Sequence, residues 1–523
     1  MTEAAVSQPT FRKISLAAGL LLFLLVLLLP TPAGMPPEAQ RAAAVVLLMA
    51  VWWMTEAIEL ALTSLLPLVL FPALGILPAD RVAPYYTDPI IFLFFGGFVV
   101  ALAIQRWNLH RRIALHTVRR MGMKPERIIL GVMLATAFLS MWMSNTACTM
   151  MMFPIGMALV VQLASRPGQP PDHTVTANFG SVLMLAIAYA ASIGGIGTLI
   201  GTPTNLVFAG AVRRLFPEAP EIGFLQWMMV GVPLMVAFLP LLWLYLCRYG
   251  AAIPVRQIEF PGNETVIEDQ LRQMGPITRE EKQVLAVWLL MAALWIFRSP
   301  IAVGSLRVPG WSQLFGQPAY LHDATVAVAM ALLLCLIPLR HPRTVEASGP
   351  PATHLMDWHT IRYGVPWGIL FLFGGGFALA GGMEQTGLSK WLGGLLGKFG
   401  GIPPVLLLLA TCFCVVLLSE IASNTATAIM AMPILAATAV EIGVHPFVLM
   451  ISATIAASYG FMLPVATPPN AIVYSSGWIT APQMARAGLV LDLLGVLMVT
   501  ILIYAVAMPL LGISFHELPP WAR

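Results

Sequence analysis

The sequence predicts an all-α polytopic membrane protein made of two related halves, and three observations carry that prediction. Of the 523 residues, 59% are hydrophobic and only 10% charged, with a mean hydropathy of +0.84, which is far more apolar surface than a water-soluble chain exposes or buries. Apolar stretches recur at the length a helix needs to cross a bilayer, about 20 residues, without the short alternating segments of a transmembrane barrel. The chain also repeats itself. Ser144-Asn145-Thr146-Ala147 opens SNTACTMMMFPI, and Ser423-Asn424-Thr425-Ala426 opens SNTATAIMAMPI. Ser144 and Ser423 stand 279 residues apart (423 − 144), as do Phe92 and Phe371 of FLFFGGF and FLFGGGF, and Ser140 and Ser419. A single offset held over that distance marks an internal repeat.

In chain order, residues 1–13 form a polar N-terminus and Ile14 to Leu29 the first apolar run. That run follows Arg12-Lys13 as a signal peptide's would, but it is long and another span follows it, so it reads as a retained helix. Further spans are expected at 42–60, 62–77, 89–105, 180–212, 226–247, 283–298, 324–340, 366–382, 447–475 and 484–512, about eleven in all. Two other apolar stretches, 129–160 and 403–441, each hold an SNT motif at their centre. A polar, helix-breaking centre suits a re-entrant hairpin, which is tolerated at membrane depth only inside protein or beside a water-filled cavity. Seven basic residues crowd the loop from Arg106 to Arg127, whereas its counterpart at 385–402 has only Lys390 and Lys398. The first loop is therefore expected in the cytosol with the N-terminus, and the halves are expected to be inverted copies. The linker 248–282 is the longest polar stretch. It ends with Thr278 and Glu281 at capping-box spacing, and its Asn263-Glu264-Thr265 triplet reads as an accidental glycosylation match.

Composition also narrows the chemistry. A net charge of +4 is small for this length and gives no support to a nucleic-acid partner. The five cysteines sit in or beside apolar segments as small hydrophobes, and Cys412-x-Cys414 has no neighbouring His or Cys to complete a metal site. No segment resembles a nucleotide-binding loop. The methionines read as flexible packing, and the glycines of FLFFGGF and FLFGGGF as sites of close helix packing. Glu420 lies inside a hairpin and is either functional or a brace, while Glu56, Glu59 and Asp492 read as interfacial or bracing carboxylates.

Each half carries a second polar element. Gly201-Thr202-Pro203-Thr204-Asn205 in the first corresponds to Ala466-Thr467-Pro468-Pro469-Asn470 in the second, at an offset of 265 (467 − 202). Proline inside an apolar span frees a carbonyl and interrupts the helix. Two hairpin tips and two broken helices would then meet, offering carbonyls, Ser hydroxyls and Asn oxygens as hard ligands for an alkali cation. Half-helix N-termini there suit carboxylates. Serines four apart, 140 and 144 or 419 and 423, share a helix face. No Lys or Arg lies within 129–160, 180–212, 403–441 or 447–475. A doubly charged anion in that region would have no covalent counter-charge, so bound cations must supply it.

At these residues the sequence resembles the divalent anion:sodium symporter family, which includes sodium-coupled dicarboxylate and citrate transporters. LSMWMSNTACTMMMFPI, IGTPTNLV, VPWGILFLFGGGFALA, SEIASNTATAIMAMPI and ATPPNAIV stand in the family's order, and WWMTEAIELALTSLLPLVLFPALG resembles its early scaffold helices. The resemblance implies an elevator-type homodimer. Scaffold helices would lie in 14–128 and 283–402. Transport-domain halves would lie in 129–247 and 403–512, with a C-terminal tail at 513–523. It further implies a first sodium site on Ser140, Ser144, Asn145 and Gly201, and a second on Ser419, Ala422, Asn424 and Ala466, several through backbone carbonyls. Substrate carboxylates would meet Asn145, Thr146, Asn424 and Thr425, with Thr202, Pro203, Thr467 and Pro468 beside them. Thr204 stands where the second half has Pro469, and Ser419 stands where members often carry Thr, which puts substrate choice in question more than coupling.

The expectation is a sodium-coupled importer of C4-dicarboxylates such as succinate, malate or fumarate. It would be a multi-pass protein of a bacterial inner membrane, surrounded by lipid, with sodium as coupling ion and no organic cofactor. Rival readings are a sodium-independent dicarboxylate exchanger, a carrier of citrate, tartrate or sulfate on the same fold, and an anion channel. A membrane enzyme is the weakest reading, because the polar centre offers little beyond hydroxyls, amides and Glu420.

Overall fold

The computed structural model describes residues 4–122, 124–164, 173–250, 253–258, 265–303, 306–343, 352–397 and 401–522. Asn263, Lys398 and the stretch 165–172 after the first hairpin lie outside the described residues. The chain is 76% helical, and among the described residues the strands form two short antiparallel pairs. Among the described residues, eight helices are long and apolar enough to cross a membrane.

The first half opens with α1 (Ala4–Leu28) and α2 (Pro37–Thr55), which pack together. The apolar stretch after them is divided into Leu60–Thr63 and Leu66–Ala73, with Pro67 starting the second piece. Helix α3 (Pro89–Arg106) begins at an Asp88 side chain that accepts from Ile90 N–H, and the amphipathic α4 (Leu109–Met121) follows. A hairpin comes next, made of α5 (Pro125–Ser140) and α6 (Asn145–Ala164) joined through Met141 to Ser144. Helix α7 (His173–Gly195) stops, the chain turns through Ile196 to Thr202, and α8 (Pro203–Leu215) resumes with proline at its first position. That is where a missing N–H costs nothing. Helix α9 (Phe224–Tyr249) closes the half.

In the second half, α10 (Arg279–Ile296) starts at a reciprocal Thr278–Glu281 capping box, followed by α11 (Asp323–Leu336). Helices α12 (Trp367–Gln385) and α13 (Leu388–Leu396) lead to a second hairpin of α14 (Pro404–Ile421) and α15 (Asn424–Glu441). Helix α16 (Pro446–Ala456) ends in a break, and α17 (Pro468–Tyr474) restarts after it. Helix α18 (Ala481–Leu502) continues into a short π-helical turn. Helices α4 and α13, α5 and α14, and α6 and α15 begin 279 residues apart, and α8 and α17 begin 265 apart.

Burial places the core. The most apolar window of α7 is 94% buried, against 11% for α1, so α7 is the central helix and α1 lies outermost. Hairpin arm α6 packs on α17, and α15 packs on α8, so each hairpin holds the broken helix of the opposite half. Arms α6 and α14 number among the eight long apolar helices. Helix length therefore does not separate a full crossing from a hairpin arm.

The phenylalanine-glycine runs serve close packing. A Cβ at Gly96 would strike the Ala327 backbone of α11, and one at its repeat partner Gly375 would strike the Ser64 backbone.

Candidate functional site

Helix α5 ends at Ser140 and α6 starts at Asn145, so the SNT tip is a sharp reversal that leaves helix-end polar groups facing the next element. Ser140 Oγ donates to the Ala191 carbonyl of α7 at 2.7 Å and lies 2.9 Å from the Asn145 side-chain oxygen. Around that amide stand the Ser140 hydroxyl at 2.9 Å and two carbonyl acceptors, Ala191 O at 3.1 Å and Gly201 O at 3.2 Å. With the amide oxygen turned inward, it can accept from the Ser140 hydroxyl but faces the Ala191 and Gly201 carbonyls without a donor. With the nitrogen turned inward, the amide bonds all three.

The second half repeats the arrangement. Ser419 Oγ donates to the Ala457 carbonyl at 2.7 Å and lies 2.7 Å from the Asn424 side-chain oxygen. The breaks themselves are held by a mirrored pair of asparagines. Asn205 Nδ2 donates to the carbonyls of Gly195 at 3.1 Å and Thr198 at 2.7 Å, and Asn470 Nδ2 donates to those of Gly460 at 2.8 Å and Leu463 at 2.9 Å. All three residues keep the offset of 265. Thr198 Oγ1 also donates to Met141 O, which ties the first break to the first tip.

The structure thus brings Ser140, Asn145 and Gly201 together, and likewise Ser419 and Asn424. A Cβ at Gly460 would lie 3.5 Å from Asn424 Oδ1 and 3.3 Å from Ala466 Cβ, so both residues border Gly460. Ser144 Oγ accepts from Ala147 N–H at 3.3 Å as a helix cap. Ala422 is buried at the C-terminus of α14, where its N–H donates to Leu418 O. Thr202 and Thr467 are buried at the starts of α8 and α17, and Thr467 Oγ1 accepts from Asn470 N–H at 3.3 Å. Pro203 is half-buried and Pro468 exposed. Thr146 is half-buried and Thr425 buried, each next to its tip asparagine. No hydrogen bond joins the side chain of Thr146, Thr202 or Thr425 to another described residue.

Glu420 is a brace. Its carboxylate accepts from Met462 N–H at 2.7 Å and Leu463 N–H at 3.0 Å, both in the second break, and Asp492 of α18 stands beside it. Glu56 and Glu59 are exposed. The basic residues nearest the site are occupied elsewhere: Arg214 pairs with Asp88 at 2.7 Å and lies 4.3 Å from the Tyr85 ring centroid.

Sequence reasoning missed the carbonyls of Ala191 and Ala457 and the stapling role of Asn205 and Asn470. The signal was available, because Ala190-Ala191-Ser192 recurs as Ala456-Ala457-Ser458 upstream of each break.

Comparison with known proteins adds the following. The profile of the sodium:sulfate symporter transmembrane region matches residues 11–513. The chain is 41% identical over 467 residues to the sodium-dependent dicarboxylate transporter SdcS of Staphylococcus saprophyticus, covering 89% of this chain and 86% of that one. It is 40% identical over 504 residues to SdcS of Staphylococcus aureus, covering 96% and 93%. Among solved structures it resembles the Alcanivorax borkumensis YdaH transporter (TM-score 0.55, 15% identity, 90% of this chain and 98% of that one). It also resembles the Neisseria gonorrhoeae efflux pump MtrF (TM-score 0.52, 13% identity, 84% and 86%). At those identities the likeness is one of fold.

Proposed function

The chain belongs to the divalent anion:sodium symporter family, and from that membership we propose that it is a sodium-coupled symporter importing C4-dicarboxylates such as succinate, malate and fumarate. The reading is carried by the mirrored oxygen clusters at the two tips, each a serine, an asparagine and a carbonyl, in a region whose segments contain no Lys or Arg. Sodium binds first, at Ser140, Ser144, Asn145 and Gly201 and at Ser419, Ala422, Asn424 and Ala466. The positive field so created accepts a dianion between the tips, against Asn145, Thr146, Asn424 and Thr425, with Thr202, Pro203, Thr467 and Pro468 beside them. Burying even one charged side chain at the bilayer centre costs about 2.5–3.5 kcal/mol, so the unaccompanied dianion stays out and leak is suppressed.

In this reading the halves are inverted repeats and the protein is a homodimer with its N-terminus in the cytosol of a bacterial cell. The hairpins and broken helices move as one body along the scaffold. The interlock of each hairpin with the opposite broken helix supports such a body.

Uptake of labelled succinate into proteoliposomes tests the proposal. Accumulation with external sodium and none with potassium or choline is expected, and equal uptake in all three contradicts it. The family profile is named for sulfate and the curated relatives for dicarboxylates, so competition by sulfate, citrate, tartrate and C4-dicarboxylates ranks the substrates. C4-dicarboxylates are expected to compete best.

A further inference from the structure

One hydrogen bond crosses directly between the two breaks. Thr204 Oγ1 and Ser458 Oγ lie 2.8 Å apart, and both residues are 0% exposed. Thr204 is in the first turn of α8, three residues after Gly201. Ser458 follows Ala457, whose carbonyl accepts from Ser419 Oγ. The bond therefore joins the downstream lip of the first break to the upstream lip of the second.

The fold's own symmetry shows what is absent on the other side. Ser192 follows Ala191, whose carbonyl accepts from Ser140, as Ser458 follows Ala457 (458 − 192 = 266), and Pro469 occupies the place of Thr204 (469 − 204 = 265), one residue out of that register. Helix α7 packs on α17 just as α8 packs on α16. Proline has no hydroxyl, and the buried Ser192 Oγ has no hydrogen-bond partner among the described residues. Of two symmetry-related ties, one is made.

We infer that Thr204 and Ser458 are positioning residues that couple the two cation clusters, so that ordering of one break by sodium favours ordering of the other. The inference rests on the two-site reading above. Each break carries the backbone carbonyls of its own cluster, and coupling between sites is reciprocal whichever fills first. A rigid tie between the lips lets the second ion meet a break already ordered, which raises its affinity.

The test uses the full-length protein in detergent, with sodium binding followed by tryptophan fluorescence against a choline background. Thr204→Val keeps the shape of the residue and leaves Ser458 Oγ the Thr454 carbonyl, 3.5 Å away, as an acceptor. The wild type is expected to bind sodium with a Hill coefficient above one. Thr204→Val and Ser458→Ala should each lower that coefficient toward one and raise half-saturation about fivefold, equivalent to about 1 kcal/mol. The double variant should be no worse than either single, as for residues that act as a pair.

A purely structural role would lower the melting temperature in choline and leave the Hill coefficient unchanged, which overturns the inference. So does a wild-type Hill coefficient of one, or additive effects of the two single variants. A wild type that ignores sodium altogether overturns the transport reading instead.

Discussion

At the scale of single residues, the decisive contacts are the serine hydroxyls that bridge a helix carbonyl to a tip asparagine. Ser140 and Ser419 each contribute one oxygen and orient a second. Replacing either by alanine removes a ligand of the proposed sodium site and leaves the Ala191 or Ala457 carbonyl without its serine donor. Sodium half-saturation of uptake should rise at least about tenfold, or about 1.4 kcal/mol, with succinate affinity recovered at saturating sodium. Gly201 is more stringent. A Cβ there would strike Gly195 O and lie 2.9 Å from Ser140 O, both backbone atoms. Gly201→Ala should therefore abolish uptake while the protein still inserts, as checked by surface labelling beside the transport assay. Glu420 acts through the loop amides it binds. Glu420→Gln keeps the shape but loses charge-assisted bonds, worth about 1.5–3 kcal/mol against about 1 for neutral ones, so a lower melting temperature in sodium is expected with residual uptake. Undiminished stability would show that the brace carries no load.

At the scale of elements, the sequence was most legible where chain chemistry forces geometry. Proline at 203 and 468 made an interrupted helix readable, since neither residue can donate to a continuing ladder. The break lengths were not readable, because they depend on where Asn205 and Asn470 find carbonyls across several residues of non-helical backbone. Apolar length located the hairpins but did not tell an arm from a crossing. Arms α6 and α14 are 20 and 18 residues long, comparable to ordinary spans. Glu420 could be recognised as an intramembrane carboxylate, but its partners are more than forty residues away in sequence and follow from packing alone.

The C-terminal segment shows another tertiary choice. His445 caps α16 by accepting from Phe447 N–H, and its ring lies against Trp521 at 5.3 Å. Burial lowers its pKa to about 4, with Glu517 opposing part of that effect. Because the unfolded histidine titrates near 6.5, the folded state loses stability as pH falls from about 6.5 toward 4 and keeps it in full above that window. Melting temperature should fall across this range in the wild type and fall less in His445→Gln. Identical pH profiles would remove His445 as the cause.

At the scale of the whole molecule, the elevator reading assigns Asp88 and Arg298 to the static scaffold and Arg214 and Glu221 to the moving body. Their ion pairs, Arg214–Asp88 at 2.7 Å and Arg298–Glu221 at 2.9 Å, would have to part in each cycle. In a background without the five native cysteines, a short bis-methanethiosulfonate reagent bridging Asp88→Cys and Arg214→Cys should arrest uptake, and reduction of the bridge should restore it. Full uptake while bridged contradicts an elevator stroke between these segments. Everything else turns on charge. The segments that form the tips and breaks contain no Lys or Arg, so in the proposed mechanism the dianion depends on ions that arrive with it. The most direct measurement is calorimetric titration of succinate into the purified protein, in sodium and then in choline at equal ionic strength. Saturable binding in sodium and none in choline is the predicted result; equal affinity in both would contradict the account.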